Sequence, residues 1–314
     1  MEIAGVHIPP GKNITVDIPI FRLPTNTPID IIAHVFRSKN EGPTMLVLGG
    51  IHGDELNGVE IVKRAEKSKM FHKLQAGTVI AVPLLNVFGF INFSRGLPDG
   101  KDVNRSFPGT KSGSLASRVA YALTKEILPH VDFGIDFHTG GKSIYNFPQS
   151  RAYSADPASI QLAEEFGMPC FIKGGLLNKS LRKTAHKMGI PMIVFEGGES
   201  SRMDEFSVDE ALKGIQRVLV ARNMVPAKKV ASNKPIVIER SIWVRANRSG
   251  IFRCIKQSGD FVKKGDILGT ISGPFGNFEV KVKAKNDGFI YGHNNLPVIS
   301  QGDALFHIGI VAVT

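Results

Sequence analysis

Cysteine is scarce: the 314-residue chain has two, Cys170 and Cys254, far apart in sequence. That argues against a disulfide framework and suits a reducing cytoplasm. Long apolar runs are missing as well, and none reaches the length of a membrane span. The opening residues Met1-Glu2-Ile3-Ala4-Gly5 hold neither the basic nor the apolar segment of a signal peptide, so a cytoplasmic protein is expected. Massed charge is also absent. Lys+Arg 39 against Asp+Glu 28 leaves a net +11, yet the basic residues are scattered. Pairs such as Lys228-Lys229 and Lys263-Lys264 read as solvated faces. No RNP, zinc-finger or helix-turn-helix pattern accompanies them. The charge reads as a general field favouring small anions, with no nucleic-acid and no membrane partner.

What is present is enough for a packed core. Hydrophobic residues make up 42%, and the length suits one large α/β domain plus a small one. Residues 14–37 alternate apolar and polar around Pro24-Thr25-Asn26-Thr27-Pro28, the pattern of an antiparallel hairpin. Short apolar runs follow at Met45–Leu48, Val79–Pro83, Val131–Phe137 and Met192–Phe195. Helical patterns separate them, over Leu56–Ser68, Leu115–Leu128, Pro157–Phe166, Leu181–Met188 and Val208–Arg222. Continuous apolar strands between helices predict an α/β fold: a mainly parallel mixed sheet covered by helices on both faces. The character changes after Arg222. We place a catalytic domain at 1–228, a linker at 229–240 and a small all-β domain at 241–314. The last is marked by short strands and Gly-Asp turns such as Ser258-Gly259-Asp260 and Gln301-Gly302-Asp303.

The chemistry-bearing residues follow the apolar runs. His52 and Glu55 stand three apart after Met45–Leu48, and His138 ends the run from Val131. A lone His after a strand often only bonds the backbone. Two imidazoles and a carboxylate at strand ends, with a fourth position open, make a zinc set suited to hydrolysis. Asp136 alternates onto the same side as His138 and is placed either to orient it or to serve the sheet. The stretch from Pro83 to Thr110 is long, poor in periodicity and carries Arg95, Asp102, Asn104 and Arg105, which favours a functional loop. Glu196 follows Met192–Phe195, and taken alone would be a surface or capping residue.

Four motifs occur in order: His52-Gly53-Asp54-Glu55, Asp102-Val103-Asn104-Arg105-Ser106-Phe107-Pro108-Gly109, Asp136-Phe137-His138-Thr139-Gly140 and Phe195-Glu196-Gly197-Gly198. The chain thereby resembles the succinylglutamate desuccinylase/aspartoacylase family of the zinc carboxypeptidase superfamily over nearly its whole length. The resemblance implies one Zn²⁺ per chain on His52, Glu55 and His138, with Glu196 as general base. It implies substrate binding by Asn104 and Arg105, with Arg95 and Arg182 as further family arginines. The turns of the β domain resemble the biotinyl/lipoyl-carrier barrel. Its hairpin Gly273-Pro274-Phe275-Gly276-Asn277 has no Lys to modify, so a swinging arm is rejected. The family implies instead a cap over the zinc; Tyr291 and His293 are its candidates for reaching the site, with structural packing the favoured role for either, and Tyr291 is counted with the substrate-binding set. Gly141-Lys142-Ser143-Ile144-Tyr145 departs from the family's more basic segment, so Tyr145, Asn146 and Arg151 are read as shaping an altered pocket.

The expected function is a zinc-dependent amidohydrolase that cleaves the N-acyl bond of a small anionic N-acyl amino acid or related amine. Two alternatives stay open: a metallocarboxypeptidase-like peptidase acting on short peptides, and a non-catalytic zinc- or anion-binding protein. Association into homo-oligomers is compatible with either domain.

Overall fold

The structure, a computed structural model, describes residues 1–227, 230–231 and 234–311. The Lys228-Lys229 pair and the expected domain boundary beside it lie outside the described residues. The chain opens with short strands β1 (Glu2–Ile3) and β2 (Val6–His7), then β3 (Asn13–Arg22), β4 (Pro28–Arg37) and β5 (Thr44–Leu48). There follow α1 (Leu56–Lys67), β6 (Thr78–Val82), α2 (Val87–Ile91), α3 (Leu115–Ala122), β7 (Phe133–Gly140) and β8 (Ile144–Tyr153). Next come α4 (Pro157–Phe166), β9 (Cys170–Gly174), α5 (Leu181–Lys187), β10 (Met192–Glu199) and α6 (Glu205–Ala221). The remainder is strand: β11 (Ile236–Ile238), β12 (Ser241–Arg245), β13 (Gly250–Cys254), β14 (Phe261–Val262), β15 (Ile267–Ser272), β16 (Glu279–Lys283), β17 (Gly288–Asn294), β18 (Val298–Ile299) and β19 (Ala304–Gly309).

Strands β6, β5, β7 and β10 lie side by side and parallel at the centre of a 13-stranded sheet. All five residues of β5 are buried. Its alternate side chains feed two separate apolar layers, Leu46 and Leu48 with α3 and α5, Met45 and Val47 with α1, α4 and α6. Helices therefore cover both faces, as continuous apolar strands require. The expected hairpin is β3–β4, paired from Asn13↔Phe36 to Arg22↔Pro28.

Three features differ from expectation. The sheet is mixed rather than mainly parallel, because β8 and β4 flank the parallel centre antiparallel to it. The helix read over Leu115–Leu128 ends at Ala122 and runs on as a π turn (Leu123–Ile127) and a 3-10 turn (Leu128–His130). Pro129 lacks the N–H that an α-helix would need there. Helix α6 starts at Glu205, three residues before the expected Val208, because Asp204 caps it by accepting from the Ser207 N–H at 2.7 Å.

The β domain divides between two sheets around one core of Val244, Phe252, Leu268, Ile271, Ile290, Phe306 and Ile308. Strands β13, β15, β16 and β18 form a four-stranded sheet. Strands β12, β14, β17 and β19 instead join the large sheet, because β17 pairs antiparallel with β8 at Gly292↔Asn146 and His293↔Tyr145. Among the described residues no helix is long and apolar enough to cross a membrane.

His307 of β19 gives this domain an acid sensitivity. Its ring stacks on Trp243, the chain's one tryptophan, at 3.9 Å, and its Nε2 faces the Tyr291 hydroxyl at 2.5 Å. Burial, then the charge of Arg151, push the imidazole down to about 3. A neutral ring in the fold and an ordinary one (about 6.5) in the unfolded chain mean that stability is full above that value and falls as pH drops toward 3. Denaturant midpoints read by Trp243 fluorescence should fall between pH 7 and pH 4, and fall less in His307→Gln. Equal losses in the two proteins would show that another group sets the sensitivity.

Candidate active site

The site grows from the turn between β5 and α1. Gly53 is required there: a Cβ on it would meet the Gly89 carbonyl carbon at 1.8 Å. That close approach to α2 leaves His52 and Glu55 buried, at 2% and 1% exposure. Gly58 lets α1 lie against β7, since a Cβ would sit 2.5 Å from the Phe137 carbonyl oxygen. Asn57 staples the helix to the end of β10, donating to the Gly197 carbonyl at 3.1 Å and accepting from the Asp204 N–H at 3.0 Å. His138 and Glu196 are register partners on β7 and β10 and lie within these strands, which run on past them to Gly140 and Glu199.

Three donors converge. Glu55 places Oε1 2.7 Å from His52 Nδ1 and Oε2 2.7 Å from His138 Nδ1, and the two Nδ1 atoms are 3.2 Å apart. The outer nitrogens are engaged by carboxylates, His52 Nε2 by Asp102 at 3.1 Å and His138 Nε2 by Asp136 at 2.8 Å. With the proton of each ring on Nε2, facing Asp102 or Asp136, each Nδ1 would present a lone pair inward. Two lone pairs and a carboxylate pointing at one place repel unless a cation lies among them. Metal–nitrogen arms of about 2.0 Å set tetrahedrally would hold their ends roughly 3.3 Å apart, close to the spacing found. His52, Glu55 and His138 can therefore hold a metal ion.

The electrostatics agree. Burial opposes protonation of His138, but Asp136 and Glu55 outweigh it and raise the imidazole well above its usual range. His52 is likewise raised against its burial, by Glu55 and Asp102. Burial pushes the Glu55 carboxyl up, yet His52 and His138 hold it well below the usual carboxylate range. The cluster demands positive charge, which a metal cation supplies.

The cleft in front of these donors is lined from Arg95, Asn104, Arg105, Arg151, Arg182, Val194 and Glu196, among others. Arg95 is committed to two carboxylates, Glu55 Oε1 at 3.0 Å and Asp102 Oδ2 at 3.1 Å. Asn104 accepts the Leu181 N–H on Oδ1 at 2.9 Å, which leaves its NH₂ to offer to the cleft. Arg105 is exposed, and its guanidinium bonds the Asn104 carbonyl at 2.7 Å. Arg182, from α5, reaches only main-chain carbonyls, those of Arg151 and Gly175, each at 3.0 Å. Burial, then neighbouring Arg151, push it down to about 10. Glu196 accepts on Oε2 from Asn146 Nδ2, and the same oxygen forms an ion pair with Arg151 Nη2 at 3.0 Å.

Eight of the nine residues singled out in the sequence thus meet at one cleft. Tyr291 does not line it: the residue is 1% exposed and packs with Cys170, Ile238 and Phe289 behind β8. His293 is also buried, bonded to the Ser258 hydroxyl at 2.7 Å. No residue of 241–311 lines the cleft, because that domain extends the sheet edge-on instead of folding over the donors. The sequence reading attached no role to Asp102 as partner of His52, although it heads the Asp102-Val103-Asn104-Arg105 motif. Nor are Asn146 and Arg151 recognisable from their sequence as partners of Glu196. Only their departure from the expected pattern after His138 had marked them.

Residues 41–222 match the model of the succinylglutamate desuccinylase/aspartoacylase catalytic domain. The N-alpha-acetyl-L-2,4-diaminobutyric acid deacetylase of Halomonas elongata is 27% identical over 283 residues, 85% of this chain and 82% of that protein. Among solved structures, a succinylglutamate desuccinylase/aspartoacylase from Rhodobacter sphaeroides superposes with a TM-score of 0.84 at 25% identity, covering 96% of each chain. The product-bound ectoine utilization protein EutE (DoeB) of Ruegeria pomeroyi superposes equally well, at 0.84 and 23% identity, over 96% of this chain and 95% of that one.

Proposed function

Because the chain belongs to the succinylglutamate desuccinylase/aspartoacylase family, we propose that it is a zinc-dependent amidohydrolase that releases a carboxylic acid and an amine from a small anionic N-acyl compound. The observation that carries this is the inward pair of Nδ1 atoms, 3.2 Å apart and closed by Glu55, with His138 on the strand neighbouring that of Glu196. Zinc held there would supply Lewis acidity and ease the deprotonation of water. Glu196 does the proton work. Its hydrogen bond from Asn146 and its ion pair with Arg151 both fall on Oε2, so among the described residues Oε1 is open to take a proton from the attacking water and return it to the leaving nitrogen. The Asn104 NH₂ and the Arg105 guanidinium grip the substrate's carboxylate. Arg95, engaged by Glu55 and Asp102, steadies the donors and adds positive field. The two free cysteines fit a cytoplasmic setting, and the turns of the β domain keep their likeness to the biotinyl/lipoyl barrel.

Charge selects the substrate class. Each carboxylate lining the cleft is tied: Glu55 and Asp136 to histidines, Glu196 to Arg151. Arg105 and Arg182, by contrast, make no bond to a carboxylate among the described residues. The cleft therefore favours N-acylated amino acids with acidic side chains over those with an ammonium, such as the diaminobutyrate derivative named for the Halomonas relative. The test is kcat/KM of the zinc-loaded protein on N-acetyl- and N-succinyl-aspartate and glutamate, on N-acetyl-diaminobutyrate and on short peptides. The acidic compounds should lead by about 10-fold or more, since juxtaposed like charges are strongly disfavoured. Fastest turnover of peptides would return the protein to the carboxypeptidase reading, and fastest turnover of the diamine would overturn the charge argument.

A further inference from the structure

Glu196 lies at the junction of three strands of the catalytic domain, β10, β7 and β8. Its register partners are His138 on β7 and Gln149 on β8, and Val194, two residues earlier, pairs with Arg151. Side chains opposite one another in a ladder share a face. A register shift between Glu196 and Gly198 brings Asn146 onto that face as well. The carboxylate is consequently held from β8 by two donors, a guanidinium and an amide, on one oxygen. Asn146 is 5% exposed and is not among the residues lining the cleft. It cannot serve the substrate directly. On its other side stands Gly292 of β17, where a Cβ would lie 3.0 Å from Asn146 Oδ1 and 3.3 Å from His307 Cβ.

We propose that Asn146 and Arg151 are positioning residues that fix the Glu196 carboxylate by Oε2 and keep Oε1 turned to the reacting water, and that the β domain sets their placement through Gly292. The proposal rests on Glu196 being the base. A glutamate side chain that nothing holds can turn about its side-chain bonds. Two donors on one oxygen remove it, and misplacement of a reacting group by about 1 Å can cost on the order of 100-fold in rate. This gives the β domain a task other than covering the cleft: β17 completes the sheet beside β8 and backs the residue that orients the base.

The test uses the full-length zinc-loaded protein with Arg151→Met, Asn146→Ala and Gly292→Ala, each also combined with Glu196→Gln. Arg151→Met and Asn146→Ala should lower kcat about 10- to 100-fold, with KM within about twofold and zinc content unchanged. Arg151→Lys should restore part of the loss. Gly292→Ala, which touches nothing in the cleft, should lower kcat severalfold at unchanged KM and thermal midpoint. In the Glu196→Gln background none of the three should reduce kcat further. A rise in KM at constant kcat would make Arg151 a substrate ligand and overturn the proposal, as would losses that add fully to Glu196→Gln. If Glu196→Gln alone keeps full turnover, the base reading falls and the positioning with it. If that variant is inactive while Arg151→Met and Asn146→Ala run at wild-type rates, the positioning alone falls.

Discussion

Glu55→Gln should give a folded protein that no longer retains zinc and has lost turnover by about 1,000-fold or more. The side chain keeps its shape, and the glycine contacts that seat the turn are untouched, so circular dichroism should be unchanged. Its chemistry is not kept. Glu55 closes both Nδ1 atoms with its two oxygens and also accepts the Thr139 N–H at 3.2 Å and a guanidinium hydrogen of Arg95 at 3.0 Å. An amide removes the charge and places an NH₂ against a lone pair or a guanidinium. Loss of an outer partner of a zinc ligand costs roughly 10- to 100-fold, and loss of the ligand itself must exceed that. Metal content after dialysis, with turnover alongside, is the measurement. One zinc per chain and full activity in the variant would remove these residues from the metal site.

Glu196→Gln should fail in a different way. Zinc should be retained and KM should stay near the wild-type value, while kcat falls by about 100- to 10,000-fold, the range contributed by a positioned base. The register explains the separation. Glu196 stands beside His138 in the ladder but makes no bond to His52, Glu55 or His138 among the described residues. The amide can keep one of the two bonds on that side of the group, yet it has no lone pair able to take a proton at neutral pH. Full zinc-dependent turnover in this variant would overturn the mechanism. Set side by side, the two glutamines separate holding the cation from moving the proton.

The donors were legible in the sequence because the parallel centre of the sheet is buried on both faces. Such strands read as unbroken apolar runs, and a His or Glu that breaks the run marks where the chain turns toward chemistry. His52, Glu55, His138 and Glu196 each followed that rule. Strand β8 did not. Ile144–Tyr153 mixes Asn146, Gln149, Ser150 and Arg151 with aromatics and carries Pro148, so neither a continuous run nor a clean alternation appears. Arg151 lines the cleft, and Asn146 stands where β17, from far along the chain, pairs with the strand. Tyr291 was misjudged in placement for a related reason. A register shift between Ile290 and Gly292 redirects the strand, so spacing along β17 does not tell which way the ring turns. The break of the helix after Ala122 was written in Pro129, but seven residues downstream.

The pairing of Gly292 with Asn146 and of His293 with Tyr145 also bears on how such a protein can be divided. The two domains share one ladder of backbone hydrogen bonds, so no boundary falls in a passive tether. Cutting the chain before residue 241 would bare the N–H and C=O groups of β8 over Ile144, Tyr145 and Asn146, an invitation to pair with another molecule. The unit that can be inherited, transplanted or expressed intact is accordingly the hydrolase together with its β domain. A change far out in that domain becomes audible at the base through the strands themselves, with no moving part between them.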